Sequence, residues 1–158
     1  MKLRKFTLDD AARVALLAGD ESVSEWTANI PFPYSETDAI NWITATSNNP
    51  DRHPFAIEVC NEIVGCVSYW PHDRKSVEVG YWVGKSYWGK GFCTTALQSL
   101  INLESFPVNI NIVAKVMAKN IASEKVLVKC GFSLSGQCAI KKHGNEISGK
   151  LFIKQSRT

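Results

Sequence analysis

A chain of 158 residues is long enough for one hydrophobic core, and 45% hydrophobic with 21% charged residues excludes a disordered or fibrous protein. Its 18 Lys and Arg are interleaved with 15 Asp and Glu, so the net charge of +3 is not gathered into the basic stripe that nucleic acid requires. No apolar run approaches the roughly 20 residues of a membrane span, and Arg4, Lys5, Asp9, Asp10 and Arg13 interrupt any signal-peptide core, so a soluble cytoplasmic protein is expected.

Leu3 to Phe6 is a short predicted strand, and Thr7 with Asp10 three residues on is a capping box that opens a helix through about Leu17. Gly19 to Tyr34 holds Trp26, Pro31 and Pro33 without a steady period, which predicts an irregular loop or a broken helix. Ser35 and Asp38 repeat the capping box, and Ala39, Trp42, Ile43 and Thr46 follow at helical spacing to an end near Asn48-Asn49-Pro50. Phe55, Ile57 and Val59 alternate with Ala56 and Glu58, an Asn61-Glu62 turn follows, and Ile63 to Tyr69 returns as a strand. After a polar turn from Pro71 to Lys75, Val77, Val79, Tyr81 and Val83 alternate with Glu78, Gly80 and Trp82 as the third strand of a meander.

That strand runs into Gly84-Lys85-Ser86-Tyr87-Trp88-Gly89-Lys90-Gly91, and the next helix carries Phe92, Ala96, Leu97, Leu100, Ile101 and Leu103 on its buried face. Ile110, Ile112, Ala114 and Val116 alternate as another strand. Asn120 caps a helix that turns Ala122, Val126, Leu127 and Cys130 inward, and Gly131 takes the C′ place. Gln137 to Lys142 and Lys150 to Lys154 pair around His143-Gly144-Asn145 as a terminal hairpin. With no linker, repeat or low-complexity tract, residues 1–158 are expected as a single domain, monomeric or homodimeric. Cys60, Cys66, Cys93, Cys130 and Cys138 contain no Cys-x-x-Cys pair and are expected as buried thiols. His53, His72 and His143 stand singly near turns, where they are expected to be exposed and to hold no metal.

The glycine loop between strand and helix has a definite use. Without side chains at Gly89 and Gly91, backbone amides approach an anion closely, and the following helix adds its positive amino end. A pyrophosphate suits such a place; a tight turn with no ligand is the plain alternative. A P-loop is excluded by spacing, because only three residues separate Gly80 from Gly84-Lys85-Ser86 and Gly80 lies within the alternating strand. Thr94 stands where the third glycine of a dinucleotide-binding loop belongs.

The stretch SVEVGYWVGKSYWGKGFCTTA (Ser76 to Ala96) resembles the pyrophosphate-binding segment of GNAT acetyltransferases, in the wording of the RimJ/RimL-type branch. NIASEKVLVKCGF (Asn120 to Phe132) is similar to that branch's Asn-x-x-Ser helix, and NIPFPYSETDAINWI (Asn29 to Ile43) extends the likeness across nearly the whole chain. Ser86 departs from the pattern, in which Gln or Arg is common. The resemblance implies an α/β fold of the α+β type: a mixed, mostly antiparallel sheet flanked by helices and splayed between two parallel strands, here Ser76 to Val83 and Ile110 to Val116. It implies acetyl-CoA as co-substrate, with its pantetheine arm on the backbone of Trp82 and Val83. Amides of Trp88, Gly89, Lys90, Gly91, Phe92 and Cys93 would hold the pyrophosphate, and Asn120 and Ser123 would also contact the cofactor.

Acetyl transfer to an amine needs a neutral nitrogen, yet an α-amine has a pKa near 8 and a lysine near 10.4, so a base must take a proton. The departing thiolate needs a hydrogen-bond donor. Ser123 matches the family's serine for that task, or else is an ordinary residue of a capped first turn; Asn120 shares the duality as N-cap. Glu78 is the base candidate because alternation sets it on one face with Gly80 and Trp82. Glu25 or a water relay is the alternative. Glu25, Trp26 and Tyr34, with Pro31, Phe32 and Trp42, either wall an acceptor cleft or belong to the core. The acceptor is an amine, either a protein amino terminus or a small molecule, and a non-catalytic CoA-binding module or another nucleotide-binding protein is the competing function.

Overall fold

Seven strand segments and three capped helices set the frame. The computed structural model describes residues 1–156. Its strands are β1 (Lys2–Arg4), β2 (His53–Val59), β3 (Glu62–Asp73), β4 (Ser76–Val83), β5 (Asn111–Met117), β6 (Ser133–Lys142) and β7 (Asn145–Lys154). They form one sheet in the order β1-β2-β3-β4-β5-β7-β6, antiparallel throughout except between β4 and β5. The helices are α1 (Ala11–Ala18), α2 (Glu21–Glu25), α3 (Glu36–Ser47), α4 (Phe92–Ile101) and α5 (Ile121–Lys129). No helix among the described residues is long and apolar enough to cross a membrane.

The caps act as their spacing predicts. Ser35 Oγ accepts from Asp38 N at 3.1 Å while Asp38 Oδ2 accepts from Ser35 N at 2.8 Å, and Asn120 Oδ1 accepts from Ser123 N at 3.2 Å. Other expectations shift. The β2–β3 turn is Cys60-Asn61, not Asn61-Glu62: both residues have positive φ, 51° and 64°, the type I′ pattern whose twist matches the strands. Cys60 is therefore exposed, unlike buried Cys66 and Cys130. Of the irregular loop or broken helix expected over Gly19 to Tyr34, the second is found, with Asp20 capping the short α2. His53 belongs to β2 and stacks half-buried on Tyr69 at 4.4 Å, while Ala122 on α5 faces solvent.

Each face of the sheet carries its own core. Val77, Val79 and Val83 of β4 join Ile112, Ala114 and Val116 of β5 under Ala96, Leu97 and Leu100 of α4 and Leu127 of α5. On the opposite face Val14 and Leu17 of α1 and Ala39 and Ile43 of α3 cover Ala56, Ile63 and Cys66, with Trp82 packed against them. Odd and even residues of β4 thus look to different layers.

The first turn is locked by Asp10, whose carboxylate accepts from Arg4 at 2.8 and 2.9 Å and from Thr7 N at 2.8 Å. The Arg4 guanidinium holds this carboxyl below the usual carboxylate range. Because the folded pKa lies below the unfolded one, the stability it contributes is complete above about pH 4 and is lost as pH falls through the folded value. Asp10→Asn is expected to lower stability by roughly 2 kcal/mol at pH 7 and by less at pH 3, read by urea denaturation at both pH values.

Candidate active site

The parallel ladder between β4 and β5 is short. Ser76, Val77 and Glu78 lie in register with Asn111, Ile112 and Val113, and the pairing ends there. Gly84 N donates to Val64 O on β3 and Asn111 N donates to Lys75 O, each at 2.9 Å, which fixes the ladder's phase. Even-numbered residues of β4 turn their backbone groups to β3, whereas Val79, Tyr81 and Val83 turn theirs into the opening beside β5. The backbone groups of Tyr81 and Val83 therefore face the opening, while those of Trp82 face β3. Val83 O accepts from the Trp88 indole at 3.0 Å, which pins the loop that follows.

Above the opening stands the glycine turn. Gly89 and Gly91 have φ of 74° and 79°, and a Cβ built on either meets nothing within 4 Å. Gly91 is the N-cap of α4 and supplies no side-chain acceptor to the helix's first amides. Trp88 N is turned back onto Lys85 O at 3.2 Å, so the amides left to face an anion are those from Gly89 to Cys93. Tyr87 braces the turn: its hydroxyl accepts from Arg13 at 2.7 Å, and Lys90 Nζ stands 5.8 Å from its ring. Burial pushes the Cys93 thiol up to about 12, leaving it a neutral wall.

The two catalytic candidates sit on opposite faces of the opening. Glu78, at the last paired position, directs Oε1 to 3.5 Å from His72 Nδ1 and 3.7 Å from Lys115 Nζ. Ser123, in the first turn of α5, lies on the α4 side, where its Oγ meets the Tyr81 hydroxyl at 2.8 Å. That hydroxyl also donates to Ser123 O at 3.1 Å, and burial pushes the phenol well up. A turn of unbonded backbone amides, an unpaired strand edge, a carboxylate on one face and a hydroxyl on the other thus share one opening.

A family profile for the acetyltransferase (GNAT) domain matches residues 1–133. The chain belongs to the GNAT family. It is 32% identical over 143 residues to the uncharacterized N-acetyltransferase p20 of Bacillus licheniformis, covering 86% of this chain and 80% of that one. The microcin C7 self immunity acetyltransferase MccE, solved with acetyl-CoA and AMP, superposes with a TM-score of 0.86 at 25% identity over 97% of this chain and 91% of its own. RimL, a ribosomal alpha-N-protein acetyltransferase solved with coenzyme A, gives 0.85 at 19% identity over 98% and 93%, a likeness of fold. The RimJ/RimL-type wording of Ser76 to Ala96 agrees with these neighbours, and the chain is an acetyl-CoA-dependent N-acetyltransferase.

On the Glu78 face the GNAT sheet carries Trp70 and Arg52, which sequence reading left out, and His72, which is exposed as expected. The Trp70 ring lies over Gly80, where a Cβ would meet it at 2.8 Å, and Arg52 stands 5.1 Å from that ring. His72 is drawn to Glu78 by a β3 irregularity between Pro71 and Asp73, which periodicity does not reveal. Of the acceptor candidates, Glu25 borders a shallow cleft with Ser24, Phe32, Lys142 and His143. Lys142 Nζ closes one side by donating to Ser24 O at 3.0 Å and to Glu25 O. Trp26 is exposed, while Tyr34 and Trp42 pack against the second core, where burial pushes the Tyr34 phenol up to about 12. A lone tyrosine within the valine row of β4 was the available signal for Tyr81, since a buried hydroxyl needs a partner.

Proposed function

We propose that this GNAT enzyme transfers acetyl from acetyl-CoA to a primary amine through the β4–β5 opening, with Glu78 taking the amine proton and Ser123 supporting the sulfur. The observation that carries the reading is the end of parallel pairing at Glu78: the strands part where the carboxylate stands, and the unpaired edge from Val79 to Val83 leads directly to the glycine turn. The residues present fit the co-substrate. Amides from Gly89 to Cys93 would hold the pyrophosphate, the backbone of Tyr81 and Val83 the pantetheine, and Asn120 fixes the first turn of α5 under Ser123.

Bound acetyl-CoA supplies an activated acyl carbon and a thiol leaving group. The protein's part is to place an amine on the Glu78 face, accept its proton at a carboxylate oxygen, and offer a hydroxyl on the other face. Lys115 Nζ and His72 Nδ1 stand beside that carboxylate and leave it on the face where the amine would arrive. For the acceptor, RimL is named an alpha-N-protein acetyltransferase and a spermidine N-acetyltransferase of Vibrio cholerae shares the fold, so protein amino termini and small-molecule amines are both in view.

Acetyl-CoA at a hundred times its Kd is expected to stabilise the fold by ~2.7 kcal/mol, raising Tm by about 5–10 °C. ATP and NAD at equal concentration should do little, and equal stabilisation by ATP contradicts the assignment. Ser123→Ala is expected to lower kcat and kcat/KM together by about thirtyfold with Tm nearly unchanged, because Asn120 remains as cap. Steady-state kinetics with a verified acceptor measure this, and an unaltered kcat removes Ser123 from the chemistry.

A further inference from the structure

The contact between Tyr81 and Ser123 crosses the opening. Tyr81 belongs to β4, three residues past the last pair with β5, whereas Ser123 lies in the helix that follows β5, so their 2.8 Å bond joins the two lips of the split on the cofactor face. The Tyr81 ring packs, half-buried, against the α4–α5 core, and its hydroxyl has two acceptors within reach, both on one residue: Ser123 Oγ at 2.8 Å and Ser123 O at 3.1 Å. A phenol carries one proton, and so does the serine hydroxyl. If Tyr81 donates to Ser123 O, its oxygen receives the Ser123 proton; if Tyr81 donates to Ser123 Oγ, the Ser123 proton is free to point elsewhere.

We infer that Tyr81 is the positioning residue for Ser123, turning its O–H from the backbone carbonyl to Ser123 Oγ as negative charge grows on the sulfur. This inference rests on the Ser123 reading above. Only two C–O bonds rotate. No proton leaves either oxygen, no heavy atom has to move, and the phenol remains hydrogen-bonded in both arrangements. Donation into Oγ polarises the Ser123 hydroxyl and strengthens the bond it makes to an anion, since chains of hydrogen bonds reinforce one another in a buried setting. Burial keeps the phenol protonated, so the donor persists across the working pH range.

The test uses four full-length proteins: wild type, Tyr81→Phe, Ser123→Ala and the double variant, each checked for melting temperature. Two readings are taken, kcat with a verified amine and the thiol pKa of coenzyme A bound to the protein, followed by the ultraviolet absorbance of the thiolate. Tyr81→Phe is expected to lower kcat about tenfold, the equivalent of ~1.4 kcal/mol, with KM for acetyl-CoA unchanged. It should raise the bound thiol pKa by about one pH unit. In the Ser123→Ala background the same replacement should change neither reading, because the hydroxyl through which Tyr81 acts is gone. Equal losses in both backgrounds overturn the inference, as does a Tyr81→Phe protein with wild-type kcat and thiol pKa while Ser123→Ala is impaired; the latter leaves the Ser123 role standing. A Ser123→Ala protein with both readings at wild type overturns that role and the inference together.

Discussion

Gly91→Val lowers the affinity for acetyl-CoA about a hundredfold, ~2.7 kcal/mol, in a protein that still folds. Gly91 holds φ of 79° at the cap of α4, and a Cβ there meets no protein atom within 4 Å. A clash inside the chain is therefore not what the substitution introduces. The branched side chain instead fills the space over the first amides of α4, and its stiff β-carbon drives the residue out of the left-handed region that orients the turn. Both effects fall on the anion site, with a direct strain of about 1–2 kcal/mol on the fold. Gly136→Val is the control: it also has open space but lies on β6 away from the turn, and should bind as wild type. Calorimetric titration decides, and an unchanged Kd in folded Gly91→Val protein removes the glycine turn from the site.

Glu78→Gln is expected to reduce kcat about a hundredfold near neutral pH while acetyl-CoA binding is kept. The amide preserves shape beside His72 and Lys115 but accepts no proton. The loss should shrink as pH rises, because more acceptor is then already neutral. Its size also reports the acceptor: at pH 7.4 about a quarter of an α-amine is neutral, against roughly one part in a thousand of a lysine-like amine. A pH–rate profile identical to wild type retires Glu78 as the base and leaves Glu25 or a water relay.

What was legible in the sequence follows from short-range physics. Ser35 with Asp38, Asn120 at the start of α5 and the valine row of β4 act within one or two turns or one strand, so spacing alone reports them. Gly89 and Gly91 were legible for the same reason, as residues whose backbone shape excludes most side chains. The rest depended on tertiary register. Where parallel pairing ends at Glu78 is decided by two strands separated by a helix, and the Tyr81 bond to Ser123 joins residues 42 apart. The phase that puts Tyr81 rather than Trp82 at the opening became readable only once β3 was seen to take the even-numbered edge of β4. Tyr34 and Trp42 illustrate the reverse: an aromatic-rich amphipathic segment fits a cleft and a core equally well in sequence, and both rings stand half-buried at the margin of the second core.

The most direct measurement is release of free coenzyme A thiol from acetyl-CoA, followed with a thiol-detecting dye while peptides with free amino termini, polyamines, amino acids and aminoglycosides are supplied in turn. An acetyltransferase built on the β4–β5 opening releases thiol in step with at least one of these amines, and the Glu78→Gln protein does so far more slowly. Firm binding of acetyl-CoA with no amine-stimulated thiol release from any class would contradict the account and leave a protein that holds the cofactor without using it.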